Sequence, residues 1–400
     1  MCLLNPGTVI AVVTVLTVTT TFPHELHSGD IGSEPAATPE SLSTSWPSFR
    51  NGNSQRGVAG CDLPDQPEWL WGVPTEHGWV AAAAIVNGRV YAGSLTGWLY
   101  CLDLLTGEEI WRYRSIDDPD PKQFAPGFPA APRVTDESVY IGDEDGVFHA
   151  VNRETGIRDW QFSTDAQIAG CAAVVGDQII VCSYDSHLYS LSPDGALQWK
   201  YRTNDRINCS PAVVDSFTFV AGCDEHLRVI DIEKGEQKTD IPMGSFLIGS
   251  PAVVDEMLYV GMHNAEVVAV NWKTEEIVWR YSDPDRRFPY HSSAAVTNDH
   301  VLLGGQDSRF HCINRHTGER TWVFPTNGRI DSSAAVAAGQ VFFGSADGNV
   351  YGVNIADGTQ TWKYNSGKRF SAGVAIGEEC LVIGEEGRNG KLLCFGRPAS

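Results

Sequence analysis

The chain has 400 residues, 42% of them hydrophobic, with 40 glycines and a formal net charge of −21 at pH 7. Lysine is scarce, eight residues against 21 arginines. So acidic a surface repels phosphate backbones and excludes nucleic acid as a partner class, while the glycine content fits a turn-rich all-β protein.

Met1–Gly7 contains no Lys or Arg, and the apolar run Thr8–Val18 that follows is too short to span a bilayer comfortably. It suits the hydrophobic region of an export signal. Residues 1–22 are therefore expected to be a signal peptide or membrane-anchor-like segment. The protein is expected to be exported to the periplasm or cell envelope, touching a membrane only through this segment if it is uncleaved. Cys2 precedes the apolar run and is not placed for lipidation. Residues 23–45 are rich in Ser, Thr, Pro and Glu and read as a flexible linker. The remainder, 46–400, reads as one domain, because it is filled by a repeat.

That repeat is small–x–Asp/Asn–x–x–x–Gly–x–x–x–Trp: CLDLLTGEEIW to Trp111, AVNRETGIRDW to Trp160, CINRHTGERTW to Trp322, GVNIADGTQTW to Trp362. The full series runs Trp71, Trp111, Trp160, Trp199, Thr239, Trp279, Trp322, Trp362, in steps of 40, 49, 39, 40, 40, 43 and 40. A fixed period near 40 marks a repeat architecture. Within the unit ending at Trp362, four β-type runs are separated by turn signals: Ser333–Val336, Val341–Gly344, Val350–Asn354 and Thr359–Tyr364, with Asp347-Gly348 and Asp357-Gly358 among the turns. Four antiparallel strands per repeat predict a propeller blade. One tryptophan per outer strand, far from the axis, predicts a docking residue against the next blade rather than a ligand contact.

The inner strands are predicted to begin near Trp79, Phe128, Ile168, Ile207, Leu247, Phe288, Ile330 and Phe370. That makes eight inner sets. The last, Phe370–Phe395, lacks its tryptophan strand, and the first tryptophan strand, Glu68–Val73, lacks inner strands before it. The prediction is an eight-bladed β-propeller in which the N-terminal outer strand completes the C-terminal blade, closing the ring without a dangling edge.

Two residues depart from the repeat, Thr239 replacing a docking tryptophan and Glu275 a turn glycine, and the Ser190–Trp199 phrase is one residue short. Two insertions lengthen outer-to-inner connections, Arg114–Pro132 and Ser282–His291, and both are expected on one face of the disc. Asp117, Asp118, Phe124, Phe128, Arg286, Arg287, Phe288 and Tyr290 on these loops form the candidate partner-binding surface, since arginine and aromatic residues are frequent energetic anchors at interfaces. The bland alternative is a pair of solvated loops capping the channel.

The repeat phrase, with the lead-in Trp46–Gly57 (WPSFRNGNSQRG), resembles the tryptophan-docking motif of the pyrroloquinoline-quinone (PQQ) type β-propellers over about residues 46–396. That superfamily has a quinoprotein dehydrogenase branch, which implies PQQ and calcium held by acidic and amide side chains in the channel. It also has a non-catalytic bacterial branch, similar to the outer-membrane-protein assembly lipoprotein BamB. Asp331 and Asn208 are the one carboxylate and the one amide immediately before a small-residue inner run, too few for a calcium cage. His291, Ser292, Ser332 and Ser333 lie in repeated small-residue runs, which signal packing rather than a nucleophile. No catalytic, cofactor-binding or metal residue is therefore expected. Ten cysteines include no CxxC and no adjacent pair; Cys171 and Cys182 flank one hairpin and are the pair placed for a cross-strand disulfide, or for two free thiols. The expected function is an exported protein-binding scaffold with a role in envelope assembly; the alternatives are a PQQ-dependent dehydrogenase and a small-ligand sensor using the channel.

Overall fold

A computed structural model describes residues 44–118, 120 and 123–398; the expected signal and most of the expected linker lie outside the described residues. Strand follows strand throughout, and the described residues contain no helix. Eight four-stranded antiparallel sheets form, each from four consecutive strands except one. In that one, Glu68–Thr75 pairs with Gly390–Gly396, so the first strand among the described residues is the outer strand of the last blade. We number the blades by their innermost strands, from blade one at Ala84–Val86 to blade eight at Ala375–Gly377.

Blade seven shows how the sequence builds the unit. Its strands are Ala335–Ala337, Gln340–Gly344, Asn349–Asn354 and Gln360–Asn365. The inner strand starts two residues later than its small-residue run predicts. The reason is that the backbone there is committed elsewhere: the Ser333 carbonyl accepts the N–H of Val374 from blade eight at 3.0 Å, and the Ala334 carbonyl accepts from the Arg50 guanidinium.

The tryptophans dock as expected. Each indole N–H donates to a backbone carbonyl across the blade boundary: Trp71 to Leu104 (2.8 Å), Trp111 to Arg153 (3.0 Å), Trp160 to Pro193 (2.8 Å), Trp199 to Ile232 (2.8 Å), Trp279 to Arg315 (2.9 Å) and Trp322 to Ile355 (2.8 Å). Trp362 closes the circle on Pro67 at 3.0 Å. The rings explain the turn glycine of the phrase. A Cβ at Gly107 would lie 2.6 Å from the ring of Trp71, and one at Gly156 2.7 Å from that of Trp111.

A second periodic contact lies nearer the axis. Five residues before each inner strand, a large apolar side chain packs against the preceding blade. A Cβ at Gly93 would meet Phe128, one at Gly142 Ile168, one at Gly261 Tyr290, and one at Gly304 Ile330. Phe128 and Tyr290 are thus blade-to-blade wedges, fully or almost fully buried. This corrects two expectations. The residue of blade six equivalent to Ile330 is Tyr290, not Phe288, and neither Phe128 nor Tyr290 belongs to an exposed partner surface.

Cys171 and Cys182 are both free and buried. The hairpin register ends at Ala173↔Ile180, so Cys171 has already left the ladder toward blade four, where its N–H bonds to Ser210 Oγ at 2.9 Å.

Candidate functional site

Three places could carry function: the upper face, where outer strands connect to the next inner strand; the axial channel; and the lower mouth, where inner strands turn into their hairpins.

The lower mouth is closed by the lead-in segment, which touches the blades in ring order. Thr44 O accepts from Glu378 N of blade eight at 2.8 Å, Trp46 exchanges two bonds with Ile85 of blade one, and Pro47 O accepts from Val134 N of blade two. Asn53 Nδ2 donates to Val174 O of blade three at 2.9 Å, while its carbonyl accepts from Val213 N of blade four. Ser54, Arg56 and Gly57 then bond Val253, Val296 and Val336 of blades five, six and seven through backbone groups. The axis-facing N–H and C=O groups of inner strands would otherwise be unpaired. The strap satisfies them and holds Trp46 completely buried.

Arg50 turns inward from the strap. Its guanidinium is 2% exposed and donates to the carbonyls of Ala294 and Ala334, with no carboxylate partner among the described residues. Burial pulls its pKa down to about 9. Phe49 packs against Ala82, Ala131 and Cys171 above it.

Between strap and upper face lies an axial cavity of about 180 Å³. Its lower tier is one residue per blade: Ala82, Ala131, Cys171, Ser210, Ser250, Ser293, Ser333 and Gly373. Asn208 and His291 line the tier above, and Asn208 Oδ1 is buried without a hydrogen-bond partner. Asp331, at the equivalent position of blade seven, does not line the cavity. Its carboxylate accepts from Gln306 Nε2 at 3.1 Å and Arg329 Nε at 2.6 Å. Among the described residues the cavity wall therefore offers no carboxylate. It does not provide the hard anionic oxygens a calcium ion needs, and it is smaller than pockets that enclose drug-sized molecules.

The upper face carries both insertions, as the topology requires. Arg114, 8% exposed, is the hub of the first. Its guanidinium donates to the carbonyls of Asp118 (2.9 Å), Asp120 (2.6 Å) and Gln123 (2.6 Å). Asp117 pairs with Arg158 at 2.7 Å, and Asp118 Oδ1 accepts the N–H of Asp120 at 2.8 Å. In the second insertion Asp283, 1% exposed, is the hub. Its Oδ1 accepts the N–H groups of Asp285 (2.8 Å) and Arg286 (3.1 Å), and Arg309 approaches it at 3.2 Å. Burial alone would raise the Asp283 pKa, but those N–H groups with His311 and Arg309 hold it below the ordinary carboxylate value. Arg286 donates to Asp307 O and Arg287 to Ser282 Oγ. Each hub pins its loop and leaves one phenylalanine in solvent: Phe124 at 73% exposure and Phe288 at 49%.

Beneath the loops lie two matching buried networks, one between blades one and two and one between blades five and six, on opposite sides of the ring. Tyr113 OH bonds His149 Nδ1 at 2.9 Å and His149 Nε2 meets Asp143 at 3.0 Å. Tyr281 OH bonds His311 Nδ1 at 3.1 Å, and His311 Nε2 meets Asp307 at 3.2 Å. The wedges Phe128 and Tyr290 stand edge-on to these imidazoles, with centroids 5.3 and 5.2 Å away. Asp283, Asp307 and His311 cluster closely enough to suggest a metal centre. The geometry argues otherwise: Asp283 stands 3.7 Å from Nδ1 and Asp307 3.2 Å from Nε2, so no ring nitrogen faces both carboxylates. Arg309 and Arg320 already neutralise Asp283. This is an ion-pair knot that fixes a loop.

At the upper rim of the channel, His263 Nδ1 and His291 Nε2 are 3.2 Å apart with stacked rings, and His291 Nδ1 meets Gln306 Nε2 at 2.6 Å. Nothing in sequence spacing pointed to His263, because it reaches His291 only across the blade boundary. Phe246, 43% exposed, lies against His263.

Compared with known proteins, residues 62–281 and 263–389 match the family model described as "Outer membrane protein assembly factor BamB". The BamB protein of Shewanella oneidensis is 22% identical over 60% of this chain and 65% of its own length, and that of Yersinia pestis 22% identical over 58% and 63%. The alignments thus cover just under two thirds of these relatives. Among solved structures, BamB from Moraxella catarrhalis has a TM-score of 0.69 at 18% identity, covering 84% of this chain and 98% of that one. A europium-containing methanol dehydrogenase has a TM-score of 0.72 at 10% identity, covering 88% and 98%. At such identities the structural likeness speaks for the fold alone.

Proposed function

Because the chain belongs to the family of the outer membrane protein assembly factor BamB, we propose that it is a non-enzymatic, envelope-located platform that binds other proteins through its upper face. The observation that carries this reading is the construction of the two insertions. A buried charged hub holds each loop rigid, and each presents an exposed phenylalanine, Phe124 or Phe288, flanked by exposed charges. A pre-ordered loop with an aromatic tip binds without a large ordering cost, which is how small rigid anchors dominate interfaces. The relatives' name supplies the process, assembly of outer membrane proteins.

The dehydrogenase alternative has support from the shared fold and opposition from the cavity wall, which lacks carboxylates among the described residues. The test is complementation. In a bacterium lacking its own BamB, the full chain is expected to restore outer membrane protein levels. A chain whose two insertions are cut to the length of the Thr203–Ile207 connection is expected not to. Failure of the intact chain to complement, together with reduction of an artificial electron acceptor after addition of PQQ and calcium, would overturn the reading.

A further inference from the structure

The lower tier of the axial cavity is polarised in a way the platform reading leaves unused. On one side, Ala82, Ala131, Cys171 and Gly373 are covered by Phe49 of the strap. On the other, Ser210, Ser250, Ser293 and Ser333 stand in four consecutive blades, each 5–7% exposed.

These four hydroxyls form a ladder in one direction. Ser210 Oγ accepts the N–H of Cys171, Ser250 Oγ that of Ser210, and Ser293 Oγ that of Ser250, each at 2.9 Å; Ser333 Oγ accepts that of Ser293 at 3.0 Å. Each oxygen has therefore spent a lone pair on its neighbour. None of the four O–H groups donates to an acceptor among the described residues. Their chain neighbours behave differently: Ser292 donates to Gly304 O at 2.9 Å and Ser332 to Ala372 O at 2.6 Å. Hydroxyl hydrogens are seldom left idle when buried. Here four converge on one small cavity.

Two arginines with buried, unpartnered nitrogens stand next to residues of the cavity wall without lining it themselves. The Arg50 guanidinium holds the carbonyls of Ala294 and Ala334, the residues that follow Ser293 and Ser333, and among the described residues it has no carboxylate partner and its Nε no partner at all. Arg133, two residues after the cavity-lining Ala131, also leaves Nε and Nη1 buried without partners among the described residues. Asp331, at the repeat position that Asn208 and His291 hold in their blades, is taken up by Arg329 and Gln306. A buried cation without a counter-ion is costly, and an anion in the cavity would offset that cost while accepting from the serines. Asn208, whose amide can present N–H₂ by rotation, completes the donor set.

We propose that the axial cavity is a binding site for a small oxyanion, a carboxylate or phosphate of a few heavy atoms, held by the Ser210–Ser250–Ser293–Ser333 ladder next to Arg50. The strap closes the lower mouth, so the ligand enters from the upper face. The volume of about 180 Å³ limits it to a small molecule. This site stands independently of the platform reading.

Isothermal titration calorimetry of the full chain, with inorganic phosphate and with acetate against chloride at matched ionic strength, tests the site. One saturable site is expected for at least one of them. Phosphate alone binding assigns a phosphate ligand, and acetate alone assigns a carboxylate. Ser250→Ala/Ser293→Ala is expected to weaken binding at least tenfold. Should loss of the ladder prevent folding, Ala82→Leu fills the cavity from its apolar side and leaves every serine bond in place; it is expected to abolish binding. No saturable binding of either anion, or binding unchanged in these variants, overturns the proposal.

Discussion

Thr239 Oγ1 donates a 3.2 Å hydrogen bond to Glu275 Oε1 across the boundary between blades four and five. Thr239 stands where the repeat has its docking tryptophan and Glu275 where it has its turn glycine, so the missing tryptophan and the missing glycine are one altered contact. Glu275 keeps the left-handed turn, with φ of 63°, that glycine adopts elsewhere at φ of 67–86°. The indole has not disappeared. Trp272, from the blade-five side, points back onto Phe217 and Phe219 of blade four at 5.5 and 5.1 Å, and its N–H bonds Asp255 O at 3.2 Å. Phe219 is the register equivalent of Tyr91, Tyr140 and Tyr259, which pack on Trp111, Trp160 and Trp279.

Trp272→Ala is therefore expected to destabilise the ring like loss of a docking tryptophan, by about 3–5 kcal/mol. Glu275→Gly is expected to stabilise it by about 1 kcal/mol through relief of the left-handed strain. Chemical denaturation of both variants beside Trp111→Ala checks this. A Trp272→Ala cost far below that of Trp111→Ala would refute the substitution of one indole for the other.

The ring was legible because its contacts are local and periodic. Tryptophan, turn glycine and small inner residues each recur near 40 residues, and closure followed from an outer strand left over at one end. The sites were less legible, because they are made between blades. The wedge position is readable as a large apolar residue five before each inner strand, and that offset selects Tyr290 over Phe288. The strap was recognisable only as a lead-in segment; its circuit depends on backbone groups that carry no sequence signal. Asn208 and Asp331 hold the same place in the repeat, but only the structure separates them, one facing the cavity and the other held by Arg329.

The strap makes a prediction about ring integrity. Trp46 is completely buried between blades one and eight, exchanging both backbone bonds with Ile85. Trp46→Ala is expected to cost about 3–5 kcal/mol and to expose the Asn51–Val58 stretch to limited proteolysis. Unchanged cleavage resistance in that stretch would show that the remaining strap bonds suffice.

The loops separate binding from stability. Phe124→Ala and Phe288→Ala change exposed tips and are expected to alter stability by less than about 0.5 kcal/mol while reducing complementation. Phe128→Ala and Tyr290→Ala remove wedges and are expected to cost about 3–5 kcal/mol. Thermal denaturation and complementation of the four variants should therefore rank them oppositely. Full complementation by the Phe124→Ala/Phe288→Ala double variant would remove these tips from the interface.

The histidine pair gives the ring a pH dependence. Burial lowers the His291 pKa below 6.5, and the nearby Arg329 charge adds to this, against an opposing pull from Asp331. Gln306 Nε2 donates to His291 Nδ1, so the neutral ring carries its hydrogen on Nε2 and donates to His263. Protonation would place two donors face to face at Nδ1. The unfolded chain thus binds this proton more readily than the folded one, and stability falls as pH drops through 6.5 toward the lowered folded value. His291→Gln lacks the titration and is expected to show a flatter decline in melting temperature between pH 7 and 5. Identical slopes in the two proteins would exclude His291 as the titrating group.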